Sequence, residues 1–268
     1  MNTQTLSFIA NELTLDQVKA NVPSAFTDHS RPGLSSKYVH LATSTVIEDL
    51  IKLGWKPVKA QEIRARKNVG YQKHLVVFRN ENVMIKGTDG DDAYPQILMT
   101  NSHDGKAAFN FRVGIFRLVC SNGLVVSDAD FSNVSIRHFG YTFEVLQVKI
   151  NEVINKLPGL VNKINTFTQK ELTEAQMQEF AARAIKLRLG ENSNIVVDPN
   201  GLLAVTRTQD SGNSLWAVFN RVQEKILDGD FTYSTGRRAR ARKARSIKNF
   251  QQDIKLNEQL FELAESYV

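Results

Sequence analysis

Cysteine is almost absent from this chain: Cys120 is the single cysteine among 268 residues, so no disulfide can form within it. With 15 glycines and 6 prolines, the composition also excludes a collagen-like or low-complexity protein. No apolar run approaches the ~20 residues that span a bilayer. Residues 1–13 lack the basic region and long apolar run of a secretory signal. We therefore expect a cytoplasmic protein with no membrane partner.

Positive charge is concentrated near the C-terminus. The chain has 34 basic and 28 acidic residues, a net charge of +6. Seven basic residues and no acidic ones lie between Phe231 and Gln252; we call them the basic segment: Arg237, Arg238, Arg240, Arg242, Lys243, Arg245 and Lys248. Without them, 27 basic residues face 28 acidic ones, a net charge of −1. A local cluster on a nearly neutral body predicts an electrostatic contact site.

The spacing within the basic segment predicts a helix that carries Arg238, Arg242 and Arg245 on one stripe, beside a stripe rich in alanine. The planar fork of arginine binds phosphate bidentately, which favours a contact with nucleic acid. Tyr233, just before the segment, is a candidate for stacking on bases. A solvated helix face or a flexible basic arm is the alternative interpretation. The alanine-rich stripe offers too little apolar surface to insert into a membrane.

Hydrophobic residues make up 42% of the chain, among them 15 phenylalanines, which is sufficient for a globular core. Residues 1–140 are predicted to be β-rich, because residues 74–78, 82–85, 95–100, 108–115 and 134–138 have the composition or alternation of strands. A helix capped by Thr43 or Ser44 is predicted before Gly54. In the strand that begins at residue 108 the apolar phase flips after Ile115, which predicts a bulge or burial on both faces.

Residues 141–268 are predicted to be helical. One helix begins at residue 143 and is expected to break or kink at Pro158; another opens with a capping box of Thr173 and Gln176. A third follows Asn213 or Ser214, and a fourth covers residues 241–264, with a long connection at residues 191–212. Strands followed by helices predict an α+β fold with a mostly antiparallel sheet. We expect the two halves to pack together as one compact unit.

Short motifs also occur along the chain in a recognisable order. In the N-terminal half their residues are Asn101, His103, Asp104, Gly105, Gly114, Phe116, Arg117, Cys120, Ser121, Asn122, Gly123, Ile136, Arg137 and His138. In the C-terminal half they are Leu215, Trp216, Phe219, Asn220, Glu224, Leu256, Asn257 and Leu260. From about residue 36 to about residue 263, this order resembles the phage/plasmid-like family known as domain of unknown function 932. Residues 117–123 are the most specific part, and Phe261 stands where related sequences tend to have tryptophan.

The resemblance implies a genomic setting in bacteriophages, plasmids and integrated elements, and hence a host bacterial cell. It does not imply a reaction, so a catalytic site has to be judged from the residues themselves.

The β-rich half carries side chains of the types that bind metals: Asp91, Asp92, His103, Asp104, Asp128, Asp130 and His138. Their spacing matches no ligand motif, and turn chemistry explains several of them, so we expect neither a metal nor a cofactor. Cys120 could act as a nucleophile with His103 or His138, but it lies in an apolar strand phase and is expected to be a small buried residue. We expect Arg117 to be buried and paired, with Asp104 and Asp128 as alternative partners. No P-loop or dinucleotide fingerprint occurs.

These observations predict a non-enzymatic protein that binds single- or double-stranded DNA in replication, recombination or annealing. The alternative is a counter-defence protein that binds and inhibits a bacterial immune or restriction protein, since a basic patch also suits an acidic partner. A metal-dependent nuclease is a third hypothesis with less support. The oligomeric state stays open, homo-oligomers included.

Overall fold

In the computed structural model, strands dominate the N-terminal half and helices the C-terminal half, which confirms the predicted α+β class. The structure describes residues 12–35, 38–80, 82, 93–105, 109–117, 123–125, 134–136, 141–191, 195–236 and 239–268. The chain divides into two compact units: Met1–Leu124 with Ala129–Leu157, and Val125–Asp128 with Pro158–Val268. The expectation that the halves form one compact unit stays a prediction.

A largely antiparallel sheet forms the centre of the first unit. Its described strands are β1 (Lys56–Glu62), β2 (His74–Arg79), β3 (Ala93–Asn101), β4 (Phe109–Arg117), β5 (Gly123–Val125) and β6 (Val134–Ile136). They pair in the order β1-β2-β3-β4-β5, and β6 also pairs with β4. Every residue of β2 is buried, as expected for a short apolar strand covered on both faces. The predicted strand that would begin at Asn82 lies outside the described residues except for Asn82 itself, which is in a turn.

Two helices precede this sheet in the chain: α1 (Leu15–Asn21) and α2 (Thr43–Lys52). Helix α2 buries Val46, Ile47 and Leu50 on one face. The predicted cap of α2 is wrong, because the N-cap residue is Ala42 and makes no side-chain cap bond. Instead, the Thr43 hydroxyl is bonded within the core, as described below.

Helices form most of the second unit. They are the C-terminal part of α3 (Phe143–Gln169), then α4 (Glu174–Leu189), α5 (Pro199–Leu203), α6 (Leu215–Asp228) and α7 (Phe250–Glu265). Helix α4 begins with the predicted capping box of Thr173 and Gln176, and α6 begins at the predicted cap Ser214. Helix α3 continues through Pro158, so the helix is not broken there. The boundary between the two units nevertheless falls at Pro158.

A small sheet completes the second unit, with strands β7 (Val196–Val197), β8 (Thr232–Ser234) and β9 (Arg242–Lys243) in that order. Strand β7 and helix α5 lie within the stretch that was predicted as a plain connection. Among the described residues, no helix is both long enough and apolar enough to cross a membrane.

Candidate functional site

The described part of the basic segment is extended, so the predicted helix is wrong. Arg242 and Lys243 form strand β9, which pairs antiparallel with β8, and the following helix begins only at Phe250. Like charges three and four residues apart repel one another on a helix, which disfavours the predicted arginine stripe. Asn249 starts the helix instead, because its side chain accepts hydrogen bonds from two backbone N–H groups. Arg237 and Arg238 lie outside the described residues.

Backbone hydrogen bonds hold this extended chain on the second unit. The N–H of Ala244 donates to the carbonyl of Phe231 at 2.9 Å, and that of Ile247 to the carbonyl of Leu227 at 2.9 Å. The guanidinium of Arg188, at the end of α4, donates to the Arg245 carbonyl at 2.9 Å. Residues 239–248, which we call the strip, are therefore held in place by these bonds and do not form a loose arm.

Gly229 lets the strip pass close to the end of α6. It ends that helix in the left-handed conformation, with φ at 70°. A Cβ atom here would lie 2.5 Å from the carbonyl carbon of Arg245 and 2.8 Å from that of Ala244. The obstacle is backbone, which cannot rotate aside as a flexible side chain can. Glycine is thus required both for the local conformation and for the approach of the strip.

We expect Gly229→Ala to lower the free energy of unfolding by more than the ~1–2 kcal/mol that this conformation costs an ordinary residue. Chemical denaturation measures the change. Gly159→Ala is the matched control, because Gly159 lies within α3 and a Cβ there would meet no atom within 4 Å. The control should gain about 0.5–1 kcal/mol. Equal effects at the two positions would show that the close approach is not required.

All five described cations of the strip are exposed: Arg240, Arg242, Lys243, Arg245 and Lys248. Lys243 lies 3.0 Å from Asp230, but both side chains are more than 60% exposed, so this pair holds the lysine weakly. Arg240, Arg242 and Arg245 make no ion pair with the described residues. The strip therefore presents uncompensated positive charge to solvent.

Tyr233 lies on the neighbouring strand, directly opposite Arg242. Its side chain is half-buried, and Val197 lies opposite it on the other side. Burial lowers the pKa of Arg188, and the nearby Tyr233 acts in the opposite direction. Tyr233 is therefore a half-buried residue on the strand next to the strip.

The first unit contains a histidine cluster of two buried imidazoles and one half-buried imidazole, which brings together three of the five histidines of the chain. The ring centroids of His40 and His103 are 4.6 Å apart, and those of His74 and His103 are 5.5 Å apart. His74 and His103 have no exposed surface. Of the predicted candidates His103 and Asp104, the first belongs to this cluster and the second is half-exposed, with its carboxylate accepting from Ser102 at 2.7 Å.

The hydroxyl of Thr43 connects the two buried imidazoles. It lies 2.9 Å from Nε2 of His74 and 3.2 Å from Nε2 of His103, and it accepts from the amide of Asn101 at 2.9 Å. Nδ1 of His74 lies 3.1 Å from the Gln72 carbonyl and 3.0 Å from the Ser24 hydroxyl. The two imidazoles therefore share one hydroxyl within a network of uncharged hydrogen-bonding groups.

Two histidines of this cluster, His40 and His74, disfavour positive charge. Burial lowers the pKa of His74 from 6.5 to about 4, and it also lowers the pKa of His40. Within the described ranges, no group of three or more His, Cys, Asp or Glu side chains is arranged to hold a metal ion. Thr43, His74, Asn101 and His103 are all buried. Their hydrogen bonds position the end of the sheet.

The remaining motif residues of the first half are only partly described. Arg117 ends strand β4 and Gly123 begins β5, but the side chain of Arg117 is outside the described part, so its predicted burial and pairing stay predictions. The following predicted residues also lie outside it: Asp91, Asp92, Cys120, Asn122, Asp128, Asp130, Arg137 and His138.

The motif residues of the second half support the packing of α6. Asn220 donates to a backbone carbonyl one turn earlier at 2.7 Å. Glu224 forms a two-bond ion pair with Arg207. Asn257 of α7 accepts from Gln223 of α6 at 2.7 Å, with both side chains buried. These polar residues join elements of the scaffold to one another.

Sequence reasoning did not identify His40 and His74 as partners of His103. No local sequence pattern marks these histidines, because the residues that contact one another are far apart in the chain. Thr43 is 31 residues from His74 and 60 residues from His103. The pairing of β2 with β3 brings them together, since its register places His74 opposite Asn101. The sequence predicts a mostly antiparallel sheet but not its register, and only the register would have identified His74 as a neighbour of His103.

Comparison with known proteins gives the chain a family. Residues 33–261 match the family described as Domain of unknown function (DUF932). Two proteins of Escherichia coli (strain K12), UPF0380 protein YfjQ and UPF0380 protein YafZ, are each 29% identical to the chain over 258 residues. The alignments cover 95% of this chain and 91% of each relative. No solved structure matches. Because the match spans most of the sequence, including the motifs quoted above, the chain belongs to the DUF932 family.

Proposed function

We propose that this protein binds nucleic acid without cleaving it, through the exposed strip of the basic segment. The observation that carries the proposal is the uncompensated charge of Arg240, Arg242 and Arg245 on a chain whose remaining charge is nearly balanced. Guanidinium groups recognise phosphate oxygens bidentately and release counterions from the nucleic acid. The role that fits such a sequence-independent contact is replication, recombination or annealing in a phage, a plasmid or an integrated element.

The order of the strip supports this proposal. A flexible arm would lose conformational entropy when it binds, whereas the strip is already fixed by backbone bonds of Ala244 and Ile247 and by Arg188. Its extended form also excludes insertion of an arginine-bearing helix into the major groove. Contact with the phosphate backbone needs no helix, and it positions a protein on nucleic acid without reading the sequence.

We expect the variant Arg240→Ala, Arg242→Ala, Arg245→Ala to bind DNA more weakly whatever its sequence. Each lost phosphate contact should lower the magnitude of the log–log salt slope by ~0.7–0.9. Fluorescence anisotropy with labelled single-stranded and duplex DNA, between about 50 and 200 mM salt, measures affinity and slope together.

The control variant removes three exposed lysines that are dispersed over the chain: Lys19→Ala, Lys59→Ala and Lys255→Ala. It has the same net charge as the strip variant, so an effect of total charge would appear in both. Affinity and slope equal to those of the parent in the strip variant would exclude the strip as the binding surface.

A second experiment tests the counter-defence hypothesis. Strand β9 is an edge of the small sheet and carries exposed cations, which are also features that an acidic partner protein could bind. A pull-down from host lysate, with and without nuclease treatment, distinguishes the two. Partners that are lost with nuclease support nucleic-acid binding, whereas one host protein retained in both samples, together with no binding to purified DNA, would support counter-defence.

A further inference from the structure

A second cationic surface lies in the first unit, on the connection between β1 and β2. We call Arg64, Arg66 and Lys67 the basic loop. The tetrapeptide Arg-Ala-Arg-Lys at residues 64–67 is identical to the one at residues 240–243 of the strip. Each unit therefore presents the same run of three cations in four residues, once in a loop and once around strand β9.

The charge of the basic loop is not compensated within the described part of the molecule. All three side chains are exposed, and none forms an ion pair with a described residue. No acidic residue occurs from residue 63 to residue 73. The preceding Glu62 is directed elsewhere: it accepts hydrogen bonds from the Ser24 N–H at 3.1 Å and from the Gln72 amide at 2.5 Å.

The loop is also anchored at its base. The Ile63 N–H donates to the carbonyl of Lys73 at 3.0 Å, and the Thr27 hydroxyl donates to the carbonyl of Gly70 at 2.6 Å. The Tyr71 N–H donates to the Asn68 carbonyl at 3.2 Å, which closes a turn. A surface fixed in this way loses less conformational entropy on binding than a free loop does.

The surroundings of the loop suit a polyanion better than a lipid surface. Val69, 70% exposed, is the single large apolar residue of residues 64–70 that is exposed, and one valine gives little insertion energy. Next to the loop, the Tyr71 hydroxyl lies 2.8 Å from His29, whose other nitrogen lies 2.5 Å from Asp28. The imidazole thus separates this carboxylate from Tyr71.

We propose that the basic loop is a second nucleic-acid contact surface, in which Arg64, Arg66 and Lys67 bind phosphates. This inference rests on the proposed function and extends it: the protein contacts nucleic acid through both of its units rather than through the strip alone. Arg64 and Arg66 offer bidentate forks, and Lys67 offers a point charge. Binding through two surfaces raises the total number of phosphates neutralised, and the salt slope reports that number.

The test uses the full chain and the variant Arg64→Ala, Arg66→Ala, Lys67→Ala, with the control variant and the strip variant alongside. Binding to labelled single-stranded and duplex DNA is followed by anisotropy across the same salt range. We expect the loop variant to bind roughly 10- to 100-fold more weakly at low salt and its slope to be smaller by up to about 2–3. Its melting temperature should equal that of the parent, because the three side chains are exposed.

The outcomes separate this inference from the proposed function. If the strip variant loses affinity while the loop variant matches the parent, the loop inference is wrong and the proposed function stands. If the parent does not bind DNA, both are wrong. An equal loss in the loop and control variants would also overturn the inference, since net charge would then explain it. Binding of the loop to vesicles of anionic lipid, with DNA binding unchanged, would assign the surface to membranes and overturn the inference as well.

Discussion

Replacing Phe219 by alanine should lower the free energy of unfolding of the second unit by about 3–5 kcal/mol, the largest stability effect that we expect from a single substitution. Phe219 has no exposed surface and lies at the centre of an aromatic cluster. Its ring is edge-on to Phe180 and Phe261, with centroids 6.5 and 6.3 Å apart, and is stacked on Trp216 at 5.8 Å. Truncation to alanine removes these aromatic contacts among helices α4, α6 and α7 and leaves a cavity in place of the ring.

The two tryptophans allow the loss to be assigned to a unit. Trp216 contacts Phe219, whereas Trp55 is buried in the first unit. Urea titrations in a Trp55→Phe background therefore report the second unit through Trp216 alone. The control is Phe219→Leu, which keeps a large apolar side chain and should therefore cost less than Phe219→Ala. Unchanged stability in Phe219→Ala, together with lost DNA binding, would instead assign Phe219 to the binding surface.

The helices of the second unit were predictable because their signals are local. Thr173 and Gln176 form both hydrogen bonds of the capping box before α4. Ser214 accepts from the Ala217 N–H at the start of α6, and Gly229 ends that helix with a positive φ. In each case the residues that determine the boundary lie within four positions of one another, so a single sequence contains the information.

The conformation of the basic segment could not be predicted in this way. Its alanine content and the spacing of Arg238, Arg242 and Arg245 favour a helix locally. The decisive interactions are distant ones: strand β9 pairs with β8, and Arg188 reaches Arg245 across 57 residues. Backbone pairing at these distances outweighed propensity, and like-charge repulsion on a helix acts in the same direction. The charge of the segment was nevertheless correctly read from composition.

The histidine cluster shows the same limit for the candidate site. His103 was selected because it lies in a family motif, but its environment depends on β-sheet register and on Thr43 of α2.

The cluster also connects to the base of the basic loop. The backbone N–H of His103 donates to the carbonyl of Tyr71 at 3.1 Å. Nε2 of His40 is hydrogen-bonded to the backbone carbonyl of Thr27, and the Thr27 hydroxyl donates to the carbonyl of Gly70. A charge introduced into the cluster would therefore disturb residues that hold the loop.

Acidification should accordingly destabilise the first unit by about 3 kcal/mol between pH 7 and pH 4 through His74 alone. In the folded state the pKa of His74 is lowered to about 4, whereas the unfolded chain has the ordinary value of 6.5. Between these values the unfolded state binds the proton and the folded state does not. Stability is therefore fully present above pH 6.5 and is lost as the pH falls towards 4. Protonation would place a cation beside Thr43 and His103 with no carboxylate among its hydrogen-bond partners.

Comparison of His74→Gln with the parent isolates this contribution from the carboxylates that also titrate in acid. Urea titrations at a series of pH values, followed through Trp55 in a Trp216→Phe background, report the first unit. The variant should be less stable at pH 7, because it loses part of the network around Thr43, but its stability should fall by about 3 kcal/mol less between pH 7 and pH 4. Parallel profiles for the parent and His74→Gln would mean that His74 is protonated in the folded protein at the same pH as in the unfolded chain, which would contradict the lowered pKa of the buried imidazole.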